Sequence, residues 1–200
     1  SYPPFRVFLF KLYLYHENLV FKFILSVVIN GLTQKGRHMK NRYIPENKFP
    51  IKINNNLFIL GNYFFNLFLT IGNKKTALFE VGISAVVDTV IHQLEFLDIS
   101  PDFIISSHPH SDHITGLAGL AKRYPKAQII VAAGAKEFIE HPKAGPLMFK
   151  EDDFMSKSLS HLNIKPGRPP IRDIPDLNGS IVIKNKKLLD LGKITLDLVK

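Results

Sequence analysis

At 200 residues and 22.7 kDa, with 46% hydrophobic and 22% charged residues, the chain suits one globular domain and is neither disordered nor low-complexity. It contains no cysteine, which excludes disulfides, thiolate zinc sites and a cysteine nucleophile, so any metal site must be built from His, Asp and Glu. The net charge of +9 is a weak nucleic-acid signal, because residues 1–50 alone carry +6 and the rest is nearly balanced.

Residues 1–38 differ from the rest of the chain: they are rich in Phe, Leu, Tyr and Val, with Lys11, Glu17 and Lys22 interrupting every window long enough to span a bilayer. No small-residue cleavage site comes after Ile29. Met39 opens an ordinary polar start, and Gln34–Arg37 could be encoded by a purine-rich ribosome-binding site. Residues 1–38 are therefore read as an apolar, basic extension, either translated upstream sequence or a membrane anchor. Residues 39–200 are read as the domain.

From Ile51 short apolar runs alternate with turn residues. Lys52–Asn54, Leu57–Leu60 and Phe64–Ile71 are bounded by Asn and Gly-Asn pairs, the punctuation of an antiparallel meander. Ala77–Val81 is a further strand. Ile83–Leu97 has apolar residues at the spacing of one buried helical face. Asp102–Ser107 reads as a strand buried on both sides, Asp112–Tyr124 as a helix, Gln128–Ala132 as a strand and Lys136–His141 as a short helix. This strand–helix alternation predicts an α/β layer. Residues 142–180 read as a lid or insertion with one helix near Leu147–Leu162. Strands at Ser180–Lys184 and Ile194–Val199 close the chain.

The chemistry concentrates in Ser107-His108-Pro109-His110-Ser111-Asp112-His113, between a buried strand and a helix. Residues two apart in extended backbone project to the same side, so His108 and His110 can grip one ion. Asp112 and His113 are adjacent at the turn into the helix, diverge, and can reach a second ion. Imidazole and carboxylate suit zinc, manganese or iron alike. Two such ions about 3.5–4 Å apart polarise a substrate oxygen and acidify a bridging water. Packing alone accounts poorly for three imidazoles and a carboxylate in one loop, since each needs a polar partner once buried.

With the meander, Leu78-Phe79-Glu80-Val81-Gly82, the following helix, Asp102–Leu120 and the Gln128–Ala133 strand, the segment 56–144 resembles the first half of a metallo-β-lactamase-fold hydrolase. The resemblance implies an αββα sandwich with the site at the edge between its sheets, and only the N-terminal half of that fold in this chain. It implies His108 and His110 on the first ion, Asp112 and His113 on the second, with zinc as the cofactor, two ions, and iron or manganese as alternatives. The reaction implied is hydrolysis of an ester, thioester, lactone or amide by a metal-bound hydroxide, which Asp112 orients or relieves of its proton. The partner expected is a small-molecule substrate, not a nucleic acid, in the cytoplasm, with membrane contact only if residues 1–38 are native. A mononuclear iron dioxygenase, a nuclease of the same fold and a membrane-tethered non-catalytic protein are the alternatives.

Two departures stand out. Glu80 occupies the position where the family usually has Asp, and the family's later ligands (a third His, a bridging Asp and a final His) are not found, so the chain reads as a fragment with one inner sheet face uncovered. Lys165, Arg168 and Arg172 in the lid could attract an anionic substrate, although a solvated loop is the plainer reading. Thr115 and Gly116 are assigned to close packing. His16, His38, His92, His141 and His161 stand alone and are set aside as ligands, and Ser106, Ser107 and Ser111 lack the glycine frame of a nucleophile elbow.

Overall fold

A computed structural model describes residues 48–199 and the backbones of two strands, β1 (Lys11–His16) and β2 (Leu19–Ile24). Most of the 1–38 extension and the Met39 start lie outside the described residues. The meander follows as β3 (Ile51–Lys52), β4 (Leu57–Gly61), β5 (Asn66–Ile71) and β6 (Thr76–Phe79). A short 3-10 turn at Ser84–Val86 then leads into α1 (Val87–Phe96), β7 (Phe103–Ser106), α2 (Ser111–Ile114), α3 (Leu117–Arg123) and β8 (Gln128–Ala132). After α4 (Ala135–Ile139) and α5 (Ala144–His161) come β9 (Ile181–Ile183), β10 (Lys186–Asp190) and β11 (Thr195–Val199).

Strands β3 to β9 form one sheet in sequence order. The pairs from β3 to β6 are antiparallel, as hairpins allow, and those from β6 to β9 are parallel. Each parallel pair needs a crossover, and the helices supply them. Both faces of this sheet are buried, which is why its central strands read as continuous apolar runs. Leu78, Ile104 and Val131 face a helical layer that includes Val90, Leu94, Leu117 and Leu120. Their neighbours Ala77, Phe79, Phe103, Ile105 and Ile130 face the opposite way, against Leu189, Leu196 and Leu198. These last residues belong to β10 and β11, which pair with β1 and β2 in a second, antiparallel sheet.

The layers are thus helices, sheet, sheet. The inner face expected to be bare is covered by β10 and β11. The helix expected over Asp112–Tyr124 is two pieces, α2 and α3, parted at Thr115–Gly116. Gly116 sits where a Cβ would come within 2.1 Å of the Val81 carbonyl oxygen, and its N–H donates to the Gly82 carbonyl at 3.0 Å. Only glycine lets the chain approach that closely, which bears out the close-packing reading of this residue.

Strand β10 is absent from the sequence expectation. Its Lys-Lys-Leu-Leu-Asp run buries only Leu189, and lysines on an edge strand look like loop polarity until the pairing is seen. Among the described residues no helix is long and apolar enough to cross a membrane.

Candidate metal centre

Strands β6 and β7 run parallel and end side by side, and the loop after β7 carries the histidine motif. Carboxyl ends of parallel strands are where open α/β folds place their sites, because the crossovers leave a crevice there. The backbone of His110 is extended and α2 begins at the next residue. The three motif rings meet: the His108 and His113 ring centres are 4.0 Å apart, and those of His108 and His110 are 4.7 Å apart.

Two of the rings are anchored from behind. Ser107 Oγ lies 2.8 Å from His108 Nδ1, so this nitrogen is engaged and Nε2 remains available. Glu80 Oε2 lies 2.8 Å from His113 Nδ1, leaving Nε2 on the side of Asp112, whose Oδ2 is 3.2 Å away. Ser106 Oγ donates to the His113 carbonyl at 2.8 Å and ties the motif back to β7. Partners of this kind select the tautomer and aim the ring of a ligating histidine.

Glu80 makes its contact from an unusual backbone. Its φ is 72°, in the left-handed region, which costs about 1 kcal/mol or more for a residue with a Cβ. The residue is buried, 4% exposed, and its N–H donates to the Ile105 carbonyl at 2.8 Å. The longer acid at this position therefore still reaches the His113 ring.

The protonation states follow from these contacts. Burial, with the nearby His113 and His110, pushes the pKa of His108 down to about 4, so the ring is neutral at pH 7, the form that ligates. Burial alone would also lower His113, but hydrogen bonds and charge from Asp112 and Glu80 outweigh it and raise the pKa to about 10. Burial would raise Asp112, yet the His113 bond and charge hold its carboxyl below the usual range. Two carboxylates converge on one imidazole, an environment that favours positive charge.

Among the described residues no three His, Asp or Glu side chains stand ready around a single ion. The ligand pairs expected from sequence are two and two, and Asp112 is turned onto His113. The donors still fit a divalent cation in kind. They comprise a neutral imidazole with its outer nitrogen engaged, a second imidazole beside it, and a carboxylate paired with a third.

Other expectations resolve differently. Arg168 Nε pairs with Asp88 Oδ1 at 2.7 Å, and its guanidinium crowds Gly119. It straps the segment after α5 onto α1 and α3. Thr115 bonds through Oγ1 to Asp152 at 2.6 Å, a polar partnership that the packing assignment missed. The Phe138 ring on α4 stands at 72° to that of His110, with centres 6.4 Å apart. No spacing rule could have linked Asp152 or Phe138 to the motif.

A two-sheet α/β fold with an imidazole–carboxylate cluster at the ends of its parallel strands defines a narrow class. The profile of the metallo-beta-lactamase superfamily matches residues 64–190, and the chain belongs to that superfamily. Among solved structures it is similar to the metallo-beta-lactamase MIM-1 from Novosphingobium pentaromativorans, at 23% identity over 73% of this chain and 48% of that one, with a TM-score of 0.50. It is also similar to a B3 metallo-beta-lactamase described as having an active-site glutamic acid, at 19% identity over 72% of this chain and 48% of that one, with a TM-score of 0.52. At these identities the likeness concerns the fold alone, and the chain spans about half the length of both. No curated protein matches it.

Proposed function

We propose that the protein is a metal-dependent hydrolase acting on an ester, thioester, lactone or amide bond of a small molecule. The observation that carries this reading is the packing of His108, His110 and His113 at the ends of β6 and β7, with Ser107 and Glu80 engaging the outer nitrogens of two rings. His108 and His110 would hold one ion, and Asp112 and His113 a second, with zinc the first candidate and iron or manganese next. A divalent ion in this place supplies Lewis acidity toward a carbonyl oxygen and acidifies water.

The chain's own groups do the rest. Ser107 keeps the His108 ring oriented through Nδ1. Glu80 holds His113 in register through a bond that persists whether or not Nε2 carries a proton. Asp112, with a side chain 44% exposed, is ionised, and its carboxylate would accept a hydrogen bond from an attacking water and take up its proton. Phe138, 39% exposed beside His110, would offer an apolar surface next to that ring.

The test is direct. The purified chain is analysed for zinc, iron and manganese and assayed against a thioester and a lactone, alongside a His108→Ala/His110→Ala variant. Bound metal and turnover in the parent, both lost in the variant, are expected. Equal metal content and equal activity in the two proteins would overturn the reading, and iron with oxygen consumption would redirect it to a dioxygenase.

A further inference from the structure

Helix α5 lies some forty residues beyond the motif, yet two adjacent side chains on it grip the turn that carries Asp112 and His113. Ser111 Oγ donates to Glu151 Oε2. Four residues on, Thr115 Oγ1 lies 2.6 Å from Asp152 Oδ1 and 2.8 Å from the Ser111 carbonyl, so its single proton is shared between two acceptors. Residues four apart share one face of a helical turn. Helix α5 therefore holds α2 at both ends by that face, and Asp112 and His113 lie between the two grips.

Asp152 has a second hold. Its Oδ1 accepts from the Ser84 N–H at 3.1 Å, its Oδ2 accepts from Ser84 Oγ at 2.6 Å, and the Ile171 N–H donates to Oδ2 at 2.9 Å. Ser84 lies just beyond the Glu80–Gly82 turn. One carboxylate thus joins the segment bearing Glu80 to the segment bearing His113, the two ends of the 2.8 Å contact that aims the His113 ring. Asp152 is fully buried, at 0% exposure. A carboxylate in that setting is costly unless both oxygens are satisfied, and here each oxygen faces two donors.

We propose that Asp152, with Glu151 beside it, is a positioning residue for the Asp112–His113 half of the metal centre, fixing α2 against the turn that carries Glu80. The inference rests on the metal-centre reading above. Its chemistry is specific: each oxygen of Asp152 accepts from one backbone N–H, that of Ser84 or of Ile171, so an amide in its place sets its NH2 against one of these donors and loses that bond.

Cobalt(II) is titrated into the full chain and followed by its visible absorption, at a temperature where circular dichroism shows every variant folded. Asp152→Asn and Thr115→Val are expected to bind cobalt about 10- to 100-fold more weakly, the range for losing an outer partner of a metal ligand, with a shifted absorption band. Asp153→Asn alters the next, solvent-facing acid, whose partner is Lys157, and is expected to keep the parent's affinity and band.

If Asp152→Asn and Thr115→Val lower only the melting temperature while cobalt affinity and band stay at the parent's values, Asp152 is a fold staple and the proposal falls. If Asp152→Asn does not fold, Thr115→Val decides alone, because it keeps the shape and deletes only the hydroxyl. If the parent chain itself binds no cobalt, the metal-centre reading falls and the positioning role with it. Parent binding with unchanged variants sinks the positioning role only.

Discussion

The motif loop and helix α5 meet at the candidate site and differ in almost every other respect. The loop, residues 107–113, is compact in sequence and partly open to solvent, with His110 exposed and Asp112 and His113 half-buried. Helix α5 reaches the site from far along the chain and does so through a carboxylate with no exposure. On the proposed reading, groups that meet a substrate lie on the solvent side, whereas groups that hold them in place are sheltered from competing water. Chemistry and support are therefore separated in sequence and in burial.

That separation can be broken by substitution. The largest stability loss is expected from Asp152→Ala, which leaves the Ser84 N–H, Ser84 Oγ, Thr115 Oγ1 and Ile171 N–H without their shared acceptor. A cost of about 3 kcal/mol or more is expected from stranding several buried donors at once, and urea unfolding measures it. A loss below about 1 kcal/mol would mean that water or a shifted neighbour replaces the carboxylate readily.

Gly116→Ala comes next. Its added Cβ meets the Val81 carbonyl at 2.1 Å, a contact with backbone that cannot swing aside, and about 2 kcal/mol of destabilisation is expected. The same denaturation experiment reports it, and an unchanged midpoint would show that α2 and α3 can slide along the Glu80–Gly82 turn.

Glu80→Gln tests the outer partner of His113. It keeps a side-chain oxygen at the ring but removes one of the two charges that converge there, so zinc affinity measured by chelator competition is expected to fall about 10-fold. Affinity equal to the parent's would place the work of aiming His113 elsewhere.

The smallest structural effect belongs to His110→Ala. An exposed loop side chain away from the core is expected to change stability by no more than about 0.5 kcal/mol, although metal content should fall. If His110→Ala destabilised the fold as strongly as Asp152→Ala, the contrast between loop and helix would be lost.

Much of this was legible in the residues. The alternation of apolar runs and turn signals located the meander, β7, β8 and the crossover helices, because period-2 and period-3.6 patterns are local. The motif was legible for the same reason, since its imidazoles and carboxylate fall within six residues. Strand β10 was not, because its lysines gain meaning only from pairing with β11. The break between α2 and α3 was not, because it depends on the distance between Gly116 and Val81.

What the chain's order of residues determined by itself is the α/β layering and the clustering of three histidines and an aspartate in one loop, both written in short-range patterns. Only the tertiary structure decided that Arg168 is committed to Asp88, that Glu80 reaches His113 from a left-handed backbone, and that Asp152 bridges the two segments behind the site. Each depends on a hydrogen bond or ion pair between residues distant in sequence, whose partners are chosen by packing. A pattern read along the chain carries no information about which buried donor will face which acceptor.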